Sequence, residues 1–203
     1  MFFNLFKKKF IDESFEDQKK DLENRNPFLD SLAINGKSCD SLFNNKQDFG
    51  HVASNPIPVN GVIGGIKYLN RLRCRCGTIL MYHRLGSIEI SETENPIDIY
   101  ESVCENGKHW DVLFLSIYHP RRSTWFPTGY KFSKFHPIFS TSPIGYGTNK
   151  CDKDFPFGLS KYIKIHIGGN LGKVFAKKYE IIVLDRNKFI KPEDHIKKLG
   201  SDK

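Results

Sequence analysis

At 203 residues the chain is long enough for one domain that buries a core without help from disulfides. Hydrophobic residues make up 39%, and the absence of any run of about 18 apolar residues excludes a membrane-spanning helix. The formal net charge of +8 favours anionic partners such as nucleic acid, anionic lipid or phosphorylated ligands, although a composition bias that raises Lys, Asn, Ile and Phe together produces the same excess.

The charge is unevenly spread. Residues 1–50 hold 8 basic and 9 acidic side chains, residues 51–150 hold 11 and 7, and residues 151–203 hold 12 and 7. Residues 1–50 are polar and aperiodic, which predicts a weakly structured N-terminal segment ahead of a single α+β domain over 51–203. Phe3, Phe6 and Phe10 sit at helical spacing beside Lys7, Lys8 and Lys9. One short apolar face anchors weakly, so membrane-surface contact by residues 1–10 is not expected. The basic residues follow the apolar ones, unlike a secretory signal. Five cysteines at irregular spacing then read as reduced thiols and a cytoplasmic location.

The ordered part is expected to open at Asn55-Pro56-Ile57-Pro58, where alternate prolines hold the chain extended. From Ile66 to Arg73 the apolar positions Ile66, Tyr68 and Leu72 alternate with Lys67, Arg71 and Arg73, which predicts a strand. Thr78 to His83 would return as its hairpin partner. Ile97–Cys104 and His109–Ile117 flank Asn106-Gly107, the strongest short hairpin signal. A two-residue turn sets Val103 opposite Trp110 and Ile99 opposite Phe114. Ile97, Ile99, Val103, Trp110, Val112 and Phe114 then share one face.

From Val112 to Cys151 there is no carboxylate, while nine aromatic residues interleave with Arg121, Arg122, Lys131, Lys134 and Lys150. Four prolines and three glycines break this stretch, which predicts a long irregular loop with a functional use. Leu159–Ile167 satisfies both strand and helix periodicity. Glu180–Leu184 reads as a short strand, and Pro192–Gly200 as a short helix with matched end signals. The fold class expected is therefore α+β: a mainly antiparallel sheet of two hairpins, one or two short C-terminal helices, and a long irregular aromatic-rich loop.

Three constellations could carry chemistry. The acid-free stretch offers a polyanion surface, with Arg84, Arg121, Arg122, Lys131 and Lys134 on phosphates and Trp125 and Tyr130 stacking on bases. His83 and His119 each follow a strand end, and arginines accompany both. They are the only residues proposed for catalysis, and they suit phosphodiester chemistry only if both rings reach one phosphate. Cys74, Cys76, Cys104 and His109 supply three thiolates and an imidazole, a complete tetrahedral zinc set. Two features weigh against that set. Cys74 and Cys76 are separated by one residue instead of the usual two, and they continue the apolar phase of Ile66, Tyr68 and Leu72 as buried cysteines do.

Arg71, Arg73 and Arg75 would form a basic row on the solvent face of the same strand, which commonly serves only to block edge pairing. Gly145-Tyr146-Gly147 and Gly168-Gly169 lack the residues of nucleotide loops, so no cofactor is implied. The function expected is a non-catalytic module binding nucleic acid or another polyanion, with no metal. The alternatives are a protein-interaction module, whose aromatics dock on a partner protein, and a small histidine-dependent phosphodiester hydrolase.

Overall fold

The computed structural model describes residues 14–20, 22, 27–36, 48–134, 154–167, 169–190, 192 and 194. It is an α+β fold with a mixed four-stranded sheet and a two-stranded sheet. Two short helices come first, α1 (Phe15–Lys19) and α2 (Pro27–Ile34). β1 (Ile57–Pro58), α3 (Gly61–Arg71) and β2 (Leu72–Cys74) follow. Then come β3 (Leu80–Ile88), β4 (Ile97–Cys104), β5 (Trp110–Ser116) and β6 (Tyr130–Phe132), and last α4 (Leu159–His166) and α5 (Gly169–Val183). Among the described residues no helix is long and apolar enough to cross a membrane.

The larger sheet runs β1-β5-β4-β3. β3, β4 and β5 are antiparallel, and Gly107, with φ +62°, closes the β4–β5 hairpin. Val103 pairs with Trp110 and Ile99 with Phe114, as the Asn-Gly turn dictates. β1 lies parallel to β5, so the sheet is not purely antiparallel. Pro58 is tolerated there because β1 is an edge strand.

Both faces of this sheet are covered. Leu80, Tyr82, Tyr100, Cys104, Leu113 and Leu115 pack on one side against Tyr68 and Leu69 of α3, and against Leu72 and Cys74 of β2. On the other side Met81 and Val103 meet Leu159, Tyr162 and Ile163 of α4, and Ala176, Tyr179 and Val183 of α5. The face holding Val103 and Trp110 is thus one of two core faces, and the sheet is the middle layer of three.

The period-two reading of Ile66–Arg73 holds only for Leu72 and Arg73 in β2, because residues 61–71 are helical. Gly64, Gly65, Tyr68 and Leu69 are buried together, which is one stripe of a helix. Glycines are poor helix formers, so local propensity hid this helix. Packing favours them: a Cβ on Gly64 would lie 2.1 Å from Asn60 Oδ1. The predicted first hairpin is therefore absent. β2 pairs with β6, and β3 pairs with β4.

The row of arginines goes with it. Arg71 lies 4.1 Å over the Phe132 ring, and Arg73 donates to the carbonyls of Asn70 and Leu72. Leu159–His166 is a helix, and the strand expected at Glu180–Leu184 is instead the end of α5. The terminal helix expected over Pro192–Gly200 lies outside the described residues except for Pro192 and Asp194.

Within residues 1–50, Leu22 and Ala33 are buried. The main-chain oxygen of Gln18 accepts from Asn60, and its side-chain oxygen accepts from the Arg122 amide.

Candidate metal centre

Two turns meet at one end of the sheet. The first, Cys74–Thr78, links β2 to β3. It is closed by Gly77 N–H donating to Cys74 O at 2.7 Å and Cys74 N–H donating to Thr78 O at 3.1 Å. The second is the β4–β5 hairpin, where Cys104 ends one strand and its amide donates to His109 O. Pairing of Leu80 with Cys104 brings the turns side by side, and Glu105 N–H bonds Ile79 O at 2.9 Å.

Register therefore delivers Cys74, Cys76, Cys104 and His109 to one point. Their Sγ and Nδ1/Nε2 donor atoms all lie within 4.8 Å of one another. His109 Nδ1 is 2.9 Å from Cys74 Sγ and 3.7 Å from Cys104 Sγ. Tetrahedral zinc with thiolate and imidazole ligands needs donor separations of about 3.5–3.8 Å, within small side-chain movements of this arrangement. The fit extends to the surroundings. Cys104 Sγ accepts from the amides of Lys108 at 3.3 Å and His109 at 3.2 Å. Such N–H···S bonds favour a thiolate.

The protonation pattern agrees. A hydrogen bond from Cys74 pulls the Cys104 thiol well below its ordinary range; burial opposes this, and His109 and the two amides assist. The Cys74 thiol is pushed up by that same bond and by burial. Arg75 donates to His109 Nε2 at 3.3 Å. A metal on Nδ1 would leave the proton on Nε2, so the exposed Arg75 would give up that bond.

The objections from the sequence hold in part: Leu72 and Cys74 do alternate as buried residues of β2 and belong to the core, whereas Cys76 does not continue that strand. Cys76 lies in a turn and not on a strand, so it shares no apolar phase with the helical Ile66 and Tyr68. The turn also folds Cys76 back beside Cys74, so one intervening residue suffices. Behind Cys74 stands its β6 partner Tyr130, whose hydroxyl donates to Asp111 at 2.7 Å. His51 Nδ1 is 3.6 Å from that carboxylate, and its Nε2 lies 3.1 Å from Thr128 O. Nothing in the spacing of these three residues announced this buried network.

The other predicted residues are dispersed. Tyr130 is 6% exposed, and burial followed by the neighbouring Asp111 raises its pKa well above the ordinary value, so its ring is not offered for stacking. Trp125 is half-buried, edge-on to Phe49 at 6.2 Å. Arg84 is bonded to Asp98 at 2.8 Å. Arg121 and Arg122 are half-buried, while Lys131 and Lys134 are exposed. His83 is fully buried, 2.9 Å from Glu101 and 4.5 Å from the Phe155 ring centre, on the α4 side of the sheet. His119 bonds Ser116 Oγ at 2.9 Å and lines a separate cleft of about 580 Å³ beside Ser91–Asn95. The two histidines do not share a site.

No protein-family model, no curated protein and no solved structure matches this chain.

Proposed function

We propose that this protein is a zinc-binding domain whose metal has a structural role. The convergence of three sulfurs and one imidazole within 4.8 Å carries this reading. Four protein donors complete a tetrahedron and leave no position for substrate, which is the pattern of structural sites and not of catalytic ones. Cys74 and Cys104 are buried, so their thiols face one another and not solvent. The metal would fasten the small β2–β6 sheet to the β4–β5 hairpin, joining parts of the chain that share few backbone hydrogen bonds. Titration with cobalt(II) tests this. A thiolate-to-cobalt charge-transfer band with tetrahedral visible bands, bleached by equimolar zinc, is expected. Octahedral cobalt spectra that zinc does not change would reject it.

A polyanion surface is the second reading, and the zinc site would brace it. Exposed Lys131 lies on β6, which pairs directly with the β2 strand that supplies Cys74. Lys134, Arg121 and Arg122 belong to the same stretch of sequence, which has no carboxylate from Val112 to Cys151. Binding should fall steeply with salt. Loss of oligonucleotide binding in Arg121→Ala with Arg122→Ala supports it. Partners that persist after nuclease treatment point instead to a protein-interaction surface.

A further inference from the structure

α4 and α5 form the outer layer of the fold, and their solvent side has an unusual composition. On α5 the residues turned to the core are Gly172, Ala176, Tyr179 and Val183. At 100° per residue, Val174 and Ile181 stand almost opposite that stripe, seven residues and about 10.5 Å apart. They are 64% and 66% exposed. Ile165 on α4, Leu171 on α5 and Leu184 just after it are 61%, 49% and 81% exposed. A surface helix normally places polar groups there, whereas four exposed aliphatic side chains lie on this helical pair and a fifth just after it.

The charge around them names its chemistry. Lys161, Lys164, Lys173, Lys177 and Lys178 are all exposed on these two helices, and Glu180 is their single acid. Lys178 also pairs with Glu105 at the metal-bearing hairpin. From this pattern we propose that the outer face of α4 and α5 docks on an anionic lipid bilayer. The aliphatic side chains enter the boundary between headgroups and acyl chains, and the lysines, on long flexible stems, hold lipid phosphates and carboxylates beside them.

Two other occupants suit this face less well. A second copy applied to this face would set Lys161, Lys164, Lys173 and Lys177 against the same four residues, which repels. A single-stranded nucleic acid would be met by aromatic stacking platforms beside the lysines, whereas the exposed apolar residues here are Ile, Leu and Val. This surface is distinct from the candidate zinc centre, although Lys178 reaches Glu105 on the hairpin that carries it.

The test uses the full chain and vesicles of phosphatidylcholine alone or mixed with phosphatidylserine. Co-sedimentation is expected only with phosphatidylserine, falling as salt is raised. Val174→Asp with Ile181→Asp should abolish it. Each of Lys161→Gln and Lys177→Gln should weaken it about fivefold. The substituted side chains are largely solvent-exposed, and unchanged circular dichroism checks that the variants fold. No sedimentation with phosphatidylserine at low salt overturns the proposal. So does sedimentation unaffected by both the aspartate pair and the glutamine changes. Oligonucleotide binding through the same lysines, insensitive to Val174 and Ile181, overturns it in favour of nucleic acid.

Discussion

His109 Nδ1 lies 2.9 Å from Cys74 Sγ although 35 residues separate them in the chain. The contact exists because β3 and β4 pair in one register, with Leu80 opposite Cys104. A slip of one residue would turn Cys104 to the α4–α5 face and dismantle the donor set. A metal held here therefore stabilises that register as well as the two turns.

Replacing a donor should separate these effects from ordinary core packing. Cys104→Ser removes the thiolate that two amides and Cys74 stabilise. Loss of zinc and of more than about 4 kcal/mol of stability in urea unfolding is expected, as for metal loss elsewhere. Cys39→Ser and Cys151→Ser change cysteines outside the donor set and should leave zinc content unaltered. Equal loss in all three variants would contradict the assignment.

The hairpin turn gives a second check. Gly107 has φ +62°, and a Cβ there would fall 2.2 Å from Ile182 Cγ2 on α5. Gly107→Ala should cost about 1–3 kcal/mol from the left-handed backbone and the clash combined. A thermal melt matching the parent protein would show that the turn does not pack on α5.

How much of this was legible in the residues follows from the range of each interaction. The β4–β5 hairpin was readable to the register, because Asn106-Gly107 fixes a local turn. α3 was not: Gly64 and Gly65 lower helix propensity, and their value appears only where Asn60 and the sheet approach. α5 was partly misread because Ile181, Ile182 and Val183 suit a strand locally, while burial of Gly172, Ala176 and Tyr179 imposes the helix. The four candidate donors were visible as a set, but their convergence depended on β2 pairing with β6 outside the main sheet. The buried partners of Tyr130, Asp111 and His51 were invisible, since each comes from a different segment.

Stability should carry a pH signature from His51. Burial disfavours its imidazolium, yet the Asp111 carboxylate 3.6 Å away, with smaller contributions from Thr128 and Asp48, outweighs burial and raises its pKa. A raised folded pKa stabilises fully below the unfolded value of about 6.5, and that contribution fades as pH rises through the folded value. The stability gap between the parent protein and His51→Gln should therefore shrink as pH increases from about 6 towards 8. A gap that widens over that interval would mean that His51 is neutral in the fold.

Glu101 holds a second buried network. Its carboxylate lies 2.9 Å from His83 Nε2 and accepts from Trp110 Nε1 at 2.5 Å. Glu101→Ala deprives both groups of that acceptor beneath α4 and should cost about 2–4 kcal/mol, with zinc content unchanged. Chemical denaturation with parallel metal analysis reads both quantities, and zinc loss without destabilisation would be the wrong way round.

Elemental analysis of the intact purified protein, paired with His109→Ala, decides whether the domain is built on a metal. One zinc per chain in the parent, resistant to dialysis and much reduced in the variant, is the expected result. A folded parent that carries no zinc after exposure to zinc at neutral pH would show that the three thiols and the imidazole are simply neighbours in a core.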